Sequence, residues 1–332
     1  FTSRKWNRAR RLIRELDPNH LISCRQGNTV PHDFTFTGLA RHLDFIAPEG
    51  YMVTDTPHGE DVISWVTRFA AAASGGKPVL WMEFSHDAWD RVTQTTLPDE
   101  LQKAARYAMR FYRAGWVSGA AGMTPWWWPG GFRFTECSDY GMVEPTGAER
   151  PLAKVFRTAA VLYARTRRPY EPTVWIDFDR DAHPGGYWRA ALQEGAAAWR
   201  ASRAKGQRLG VRLAGEDSDS ATGEKRFLRG EFDRLDVRRT GASVCVCAEV
   251  GNTGWAAWLP AAAGAGGVSL AVRAKDGRLV ARLPLTRRVA RFESSGLLEA
   301  TFPFAVSEGQ ELVFRLEATG RGAFGERRSL AL

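Results

Sequence analysis

Glu83 is the residue whose setting points most directly to chemistry. It closes the run Lys77-Pro78-Val79-Leu80-Trp81-Met82-Glu83-Phe84, and an acid at the end of such an apolar stretch faces a dry core unless the strand end opens into a solvated cleft. A carboxylate held there can attack an electrophilic carbon or move a proton. The competing reading makes Glu83 an ordinary acid just past a strand, or part of a structural network. Other chemically capable residues also follow apolar segments: Arg25, Gln26 and Asn28 after Leu21-Ile22-Ser23-Cys24, Glu49 and Tyr51 after Leu43-Asp44-Phe45-Ile46-Ala47-Pro48, and Trp126, Trp127 and Trp128 after Gly119-Ala120-Ala121-Gly122-Met123-Thr124. Three consecutive indoles on an extended segment cannot all face one way, so at least one is expected to pack in the core. Trp81 and Trp89 flank Glu83, and Glu136 and Asp139 follow in a polar loop as rim residues or solvated acids.

The elements that must position these residues alternate. From residue 1 to about 170 a helical pattern and a short apolar run recur four times, the grammar of βαβ units and a parallel sheet. The first helix carries Trp6, Ala9, Leu12, Ile13 and Leu16. Further helices are predicted over 62–73, from Pro98 to a cap at Gly115, and over 151–166. Four such units make half of an eight-unit barrel, and a small doubly wound sheet is the rival solution. Polar and aromatic clusters at the carboxyl end of every strand favour the barrel, whose active sites are built there. Residues 171–225 read as a connecting α/β module, with a strand at 175–178, a helix at 187–205 and a linker at 215–223. Beyond 226, period-2 alternation over 243–250, 268–272, 297–304 and 311–316 predicts a β-sandwich.

Composition narrows the possibilities. The 332 residues carry a net charge of +9 with 44% hydrophobic and 25% charged residues, an ordinary globular balance. The basic excess is mostly arginine scattered among acids, which is not a phosphate-tracking stripe, so no nucleic-acid partner is expected. No apolar run is long enough for a membrane-spanning helix. The four cysteines are too few for a disulfide scaffold, and Cys245 and Cys247 read as small core fillers on one strand face. Metal and nucleotide signatures are absent. Asp177, Asp179 and Asp181 near His183 offer oxygen ligands on one strand face, but a solvated strand edge is the preferred reading. The chain begins at Phe1 inside a helical pattern, so an upstream segment is expected.

Several motifs resemble one family. The run 77–84 looks like the seventh strand of the retaining glycoside hydrolases of the (β/α)8 clan, which includes the family 5 cellulases and mannanases and the family 2 and 42 β-galactosidases. In that strand Lys-Pro, an apolar run, Glu and an aromatic residue follow in order, and the Glu is the nucleophile. Asp44-Phe45-Ile46-Ala47-Pro48-Glu49-Gly50-Tyr51 is similar to the sixth strand, whose Tyr bonds the nucleophile, with Glu49 standing where the family often has His. Residues 119–128 resemble strand eight with its Trp sugar platform, and Arg14-Glu15-Leu16-Asp17-Pro18-Asn19-His20-Leu21-Ile22 resembles the passage into strand five.

This resemblance implies the C-terminal half of the catalytic barrel, strands five to eight, over residues 1–170. It implies Glu83 as nucleophile, Tyr51 as its partner, and Arg25, Gln26, Asn28, Glu49, Trp126, Trp127 and Trp128 as contacts of an oligo- or polysaccharide substrate, without metal or cofactor. The acid/base Glu, from an Asn-Glu pair at strand four, would lie upstream of Phe1 in the missing N-terminal half of the barrel. The alternative is a non-catalytic carbohydrate-binding or scaffold protein with a degenerate barrel. Glu249-Val250-Gly251-Asn252-Thr253-Gly254-Trp255-Ala256-Ala257-Trp258 looks like a turn of the immunoglobulin-like accessory domains of bacterial glycosidases, with a left-handed Asn-Thr-Gly corner expected.

Overall fold

The computed structural model describes residues 2–26, 40–51, 58–165, 169–179, 182, 191–214, 227–304 and 310–331. Asn28, Asp181, His183 and the linker at 215–223 lie outside them. The chain divides into two units, Phe1–Arg212 and Leu213–Leu332.

In the first unit, parallel segments lie side by side in chain order. After helix α1 (Thr2–Leu16) comes β1 (Arg25–Gln26), parallel to β2 (Ala47–Pro48). Parallel bridges between Ile46 and Val79 and between Glu49 and Glu83 continue the array to β3 (Leu80–Trp81). A hairpin of β4 (Trp89–Asp90) and β5 (Thr95–Thr96) intervenes before β6 (Gly122–Met123), parallel to β3. The regular strands are shorter than the apolar runs, partly because Pro48 and Pro78 contribute no N–H to a ladder. Backbone bonds nevertheless extend the pairing: Gly50 N donates to Glu83 O, and Trp126 N to Phe84 O.

Helices α2 (Gly59–Ala73) and α3 (Pro98–Ser118) cover one face of this array. Trp81 is fully buried there, its Nε1 donating to Thr67 Oγ1 at 3.0 Å, and Phe84 stacks on Phe111 with centroids 4.2 Å apart. Trp81 therefore packs. Met82, pointing the opposite way along the strand, is 40% exposed. α3 starts with Pro98 in its first turn beside Asp99 and Glu100, which suits the positive helix end. It ends at Gly119 (φ 87°), not at Gly115. Gly115 sits inside the helix because Met123 and the Tyr163 hydroxyl occupy the space of a side chain there. α4 (Pro151–Tyr163) follows. α1 is held mainly by charge: Arg10 and Arg14 reach Asp44 at 2.8 and 2.7 Å, whereas Leu12, Ile13 and Leu16 of its apolar stripe are exposed. Next, β7 (Val174–Phe178) pairs with β8 (Leu209–Leu213), with helical turns over Ala191–Gly195 and α5 (Ala196–Ala204) between them. Asp177 pairs with Arg212 at 3.1 Å, and the described residues hold no metal-binding cluster.

The second unit has two antiparallel sheets. One orders β13 (Ser294–Pro303), β10 (Ser243–Asn252) and β9 (Gly230–Thr240); the other orders β12 (Leu279–Pro284), β11 (Val268–Ala274), β14 (Glu311–Ala318) and β15 (Gly322–Ala331). Along β10, Val244, Val246, Ala248 and Val250 are buried. Cys245 and Cys247 consequently occupy its other face instead of filling the core, with Cys247 Sγ on Glu299. The Asn-Thr-Gly corner is not left-handed. Asn252 is fully buried, donates to Ala256 O and Val289 O, and accepts from Gly254 N. Gly254 is needed because a Cβ would lie 2.3 Å from Phe227 O. Trp255 and Trp258 are buried behind this corner.

Candidate active site

The parallel register decides which side chains meet. Glu49 and Glu83 are bridge partners on adjacent segments, so their side chains emerge together at the carboxyl end of the array. Arg25, at the end of the neighbouring strand, reaches both: its Nε donates to Glu49 Oε1 and lies 3.5 Å from Glu83 Oε1. Tyr51, two residues past Glu49, donates its hydroxyl to Glu83 Oε2 at 3.2 Å. Each oxygen of Glu83 thus faces a different donor.

The electrostatics divide the two acids. Glu49 is fully buried and its Oε2 has no hydrogen-bond partner among the described residues. Burial, with the charge of Glu83, pushes it up to about 7 against the pull of Arg25. Burial also raises Tyr51, reinforced by Glu83, so the phenol stays protonated and donates. Burial works against the charge of Arg25, but Glu49 and Glu83 outweigh it and its pKa is raised. Tyr140 packs edge-on against Tyr51, with centroids 6.1 Å apart.

The three indoles occupy the segment whose backbone pairs with Phe84. None is buried: Trp126 and Trp127 are half-buried and Trp128 is 63% exposed, contrary to the expected core member. Trp126 and Trp127, joined by a cis peptide, stack at 5.4 Å with rings 16° from parallel. The Arg133 guanidinium lies over both, 4.9 and 4.6 Å from their centroids. Trp89 packs against Phe132 at 4.5 Å.

Asp139 is not a rim acid. It is 1% exposed and accepts from Arg150 Nη1 and Nη2 at 2.7 and 2.8 Å, from Thr96 Oγ1 at 2.6 Å, and from the amides of Gly131 and Gly141. Burial opposes its charge, yet the Arg150 bonds and the others win and hold it below the usual carboxylate range. This knot ties the loop after the indoles to the hairpin of β4 and β5. Glu136 instead pairs with Arg133 at 3.0 Å.

Of the residues expected at the site, Glu83, Tyr51, Arg25 and Glu49 come together. Gln26 contributes its backbone position in β1, and Asn28 is outside the described residues. Asp139 reads in sequence as an acid of the rim or of a solvated loop, and Arg133, Tyr140 and Arg150 add contacts that the sequence reading missed. Their only advance signal is position in the loop after the indoles, which has no periodicity to read.

No protein-family model matches this chain, and no curated protein matches it. Among solved structures it is similar to a point variant of GH5_18 from Streptomyces cattleya in complex with Manb1-4GlcNAc, at 17% identity over 66% of this chain and 57% of that one, with a TM-score of 0.49. It is also similar to a polyextremophilic β-galactosidase from the Antarctic haloarchaeon Halorubrum lacusprofundi, at 13% identity over 99% of this chain and 54% of that one, with a TM-score of 0.48. A third is the β-galactosidase of the psychrophilic Marinomonas ef1, at 12% identity, 97% and 53% coverage and a TM-score of 0.45. The chain spans little more than half the length of these three glycoside hydrolases.

Proposed function

We propose that this chain is part of a retaining β-glycosidase in which Glu83 is the nucleophile. The observation that carries the reading is the pair of donors on Glu83, Tyr51 Oη at 3.2 Å and Arg25 Nε at 3.5 Å, at the carboxyl end of parallel strands. The Glu83 carboxylate attacks the anomeric carbon, the glycosidic C–O bond breaks, and a glycosyl ester forms that water later cleaves. Tyr51 and Arg25 aim the attacking carboxylate. The leaving oxygen takes its proton from a second carboxyl, which the resemblance puts on strand four, ahead of Phe1. Trp128 offers an open indole face to a sugar ring, while Trp126 and Trp127 share theirs with Arg133.

In this reading residues 1–170 are the C-terminal half of a (β/α)8 barrel. Strand order following chain order supports it, because a doubly wound sheet reverses its order at a switch point. Residues 171–225 connect it to an immunoglobulin-like sandwich over 226–332. One observation favours the non-catalytic alternative: the carboxyl paired with Glu83, Glu49, is buried against Arg25 and is poorly placed to meet a leaving group. Aryl β-glycoside assays on the full-length protein separate the two. Glu83→Ala should abolish turnover and azide should restore it by replacing the missing nucleophile. Undiminished activity of Glu83→Ala, or no activity of the unmodified protein on any glycoside, rejects the enzyme.

A further inference from the structure

The outer face of the four-stranded sheet in the second unit carries an excess of guanidinium groups around a groove. Residues facing away from the core on β11 and β14 include Arg273, Arg315 and Glu317, and the register places Arg282 and Arg315 on either side of Ala271. Glu317 is already engaged by Arg273 and Arg282, each at 2.8 Å, and Lys275 lies 3.4 Å from Glu311. The Nε of Arg315 is buried and has no hydrogen-bond partner among the described residues. A groove of about 290 Å³ opens over this face, lined by Arg273, Lys275, Arg315, Glu317 and Arg327. That Nε has almost no exposed surface, so a ligand in the groove meets Arg315 through its terminal guanidinium nitrogens.

We propose that this groove binds the carboxylate of an acidic sugar in an anionic polysaccharide, with Arg315 as the group that meets the charge. A guanidinium presents paired donors that match a carboxylate. Glu317, held between two arginines, offers a fixed acceptor for a neighbouring hydroxyl, so the lining suits a ring that carries both functions. A nucleic acid fits less well: among the described residues no aromatic side chain lines the groove, so bases have nothing to stack on.

Isothermal titration of the full chain with oligogalacturonate tests this, with a neutral gluco-oligosaccharide of equal length and a single-stranded oligonucleotide of equal charge as comparisons. Oligogalacturonate should bind and weaken with added salt, the neutral oligomer should not bind, and the oligonucleotide should bind at least tenfold more weakly. Arg315→Gln and Arg327→Gln should each weaken oligogalacturonate at least tenfold with unchanged thermal unfolding. Arg315→Lys, which keeps charge but loses the fork, should fall between and covers the case in which Arg315→Gln fails to fold. Absence of binding, equal binding of the neutral oligomer or the oligonucleotide, or binding untouched by all three substitutions overturns the proposal.

Discussion

Two acids on adjacent strands, one bridged to the other in register, differ because only one of them is met by two separate donors. Glu83 has Tyr51 on one oxygen and Arg25 near the other, whereas Glu49 is sealed off with one oxygen unpartnered. On the proposed reading, Tyr51→Phe in the full-length protein should lower kcat about ten- to hundredfold, the worth of a hydrogen bond to a charged group; steady-state kinetics on an aryl glycoside check this. Glu49 gives a pH prediction. Its ordinary value of 4.5 is raised to about 7 in the fold, so the stability it contributes is complete below about pH 4.5 and lost as pH climbs through about 7. Glu49→Gln cannot ionise, so relative to the unmodified protein it should gain roughly 3 kcal/mol between about pH 4.5 and pH 8. Urea unfolding at the two pH values measures the difference, and a flat difference would mean that Glu49 is already ionised in the fold. These four side chains were legible in advance because each ends an apolar run. Arg133, lying over two indoles, was not, since nothing in a loop sequence marks where a long side chain will fold back.

At the scale of elements, the loop after the indoles depends on the buried pair of Asp139 and Arg150. Removing one partner of such a pair leaves the other charged and dry, and Asp139→Asn should cost about 3 kcal/mol by chemical denaturation. Asp139 itself reads as a loop acid in sequence; its burial comes from residues distant along the chain, Thr96 and Arg150, closing around it. Helix α3 shows a related limit. Gly115 and Gly119 are equally good stop signals by type, and only the packing of Met123 and Tyr163 against Gly115 shows that the helix passes through the first and stops at the second. Gly115→Ala should therefore destabilise by about 1 to 3 kcal/mol despite the better helix propensity of alanine, because the added methyl overpacks the contact. A thermal melt showing stabilisation would contradict that contact. Charged residues at neighbouring positions interrupt the alternation of β9 and β15, and β12 is only six residues long, so none of the three stands out in sequence, although their inner residues, such as Phe232, Leu283 and Phe324, are buried.

Over the whole molecule, the alternation of helices with apolar runs and the later switch to period-2 alternation were both visible in sequence, because each follows from which face is buried. The division after Arg212 was not, since it depends on β8 returning to pair with β7. Each unit has its own core. Val272, fully buried in β11, can be cut to alanine at a cost of roughly 1 to 3 kcal/mol, and hydrogen exchange should show lost protection in the sheets of the second unit. The site at Glu83 lies in the first unit, and its central claim is tested in the full-length protein. A fluorinated dinitrophenyl β-glycoside leaves without needing a proton donor, so incubation followed by peptide mass spectrometry asks only whether the nucleophile works. The expected result is a glycosyl ester on the peptide containing Glu83, absent from Glu83→Gln. A folded protein that stays unlabelled with every such glycoside, or a label on Glu49 instead, would contradict the assignment.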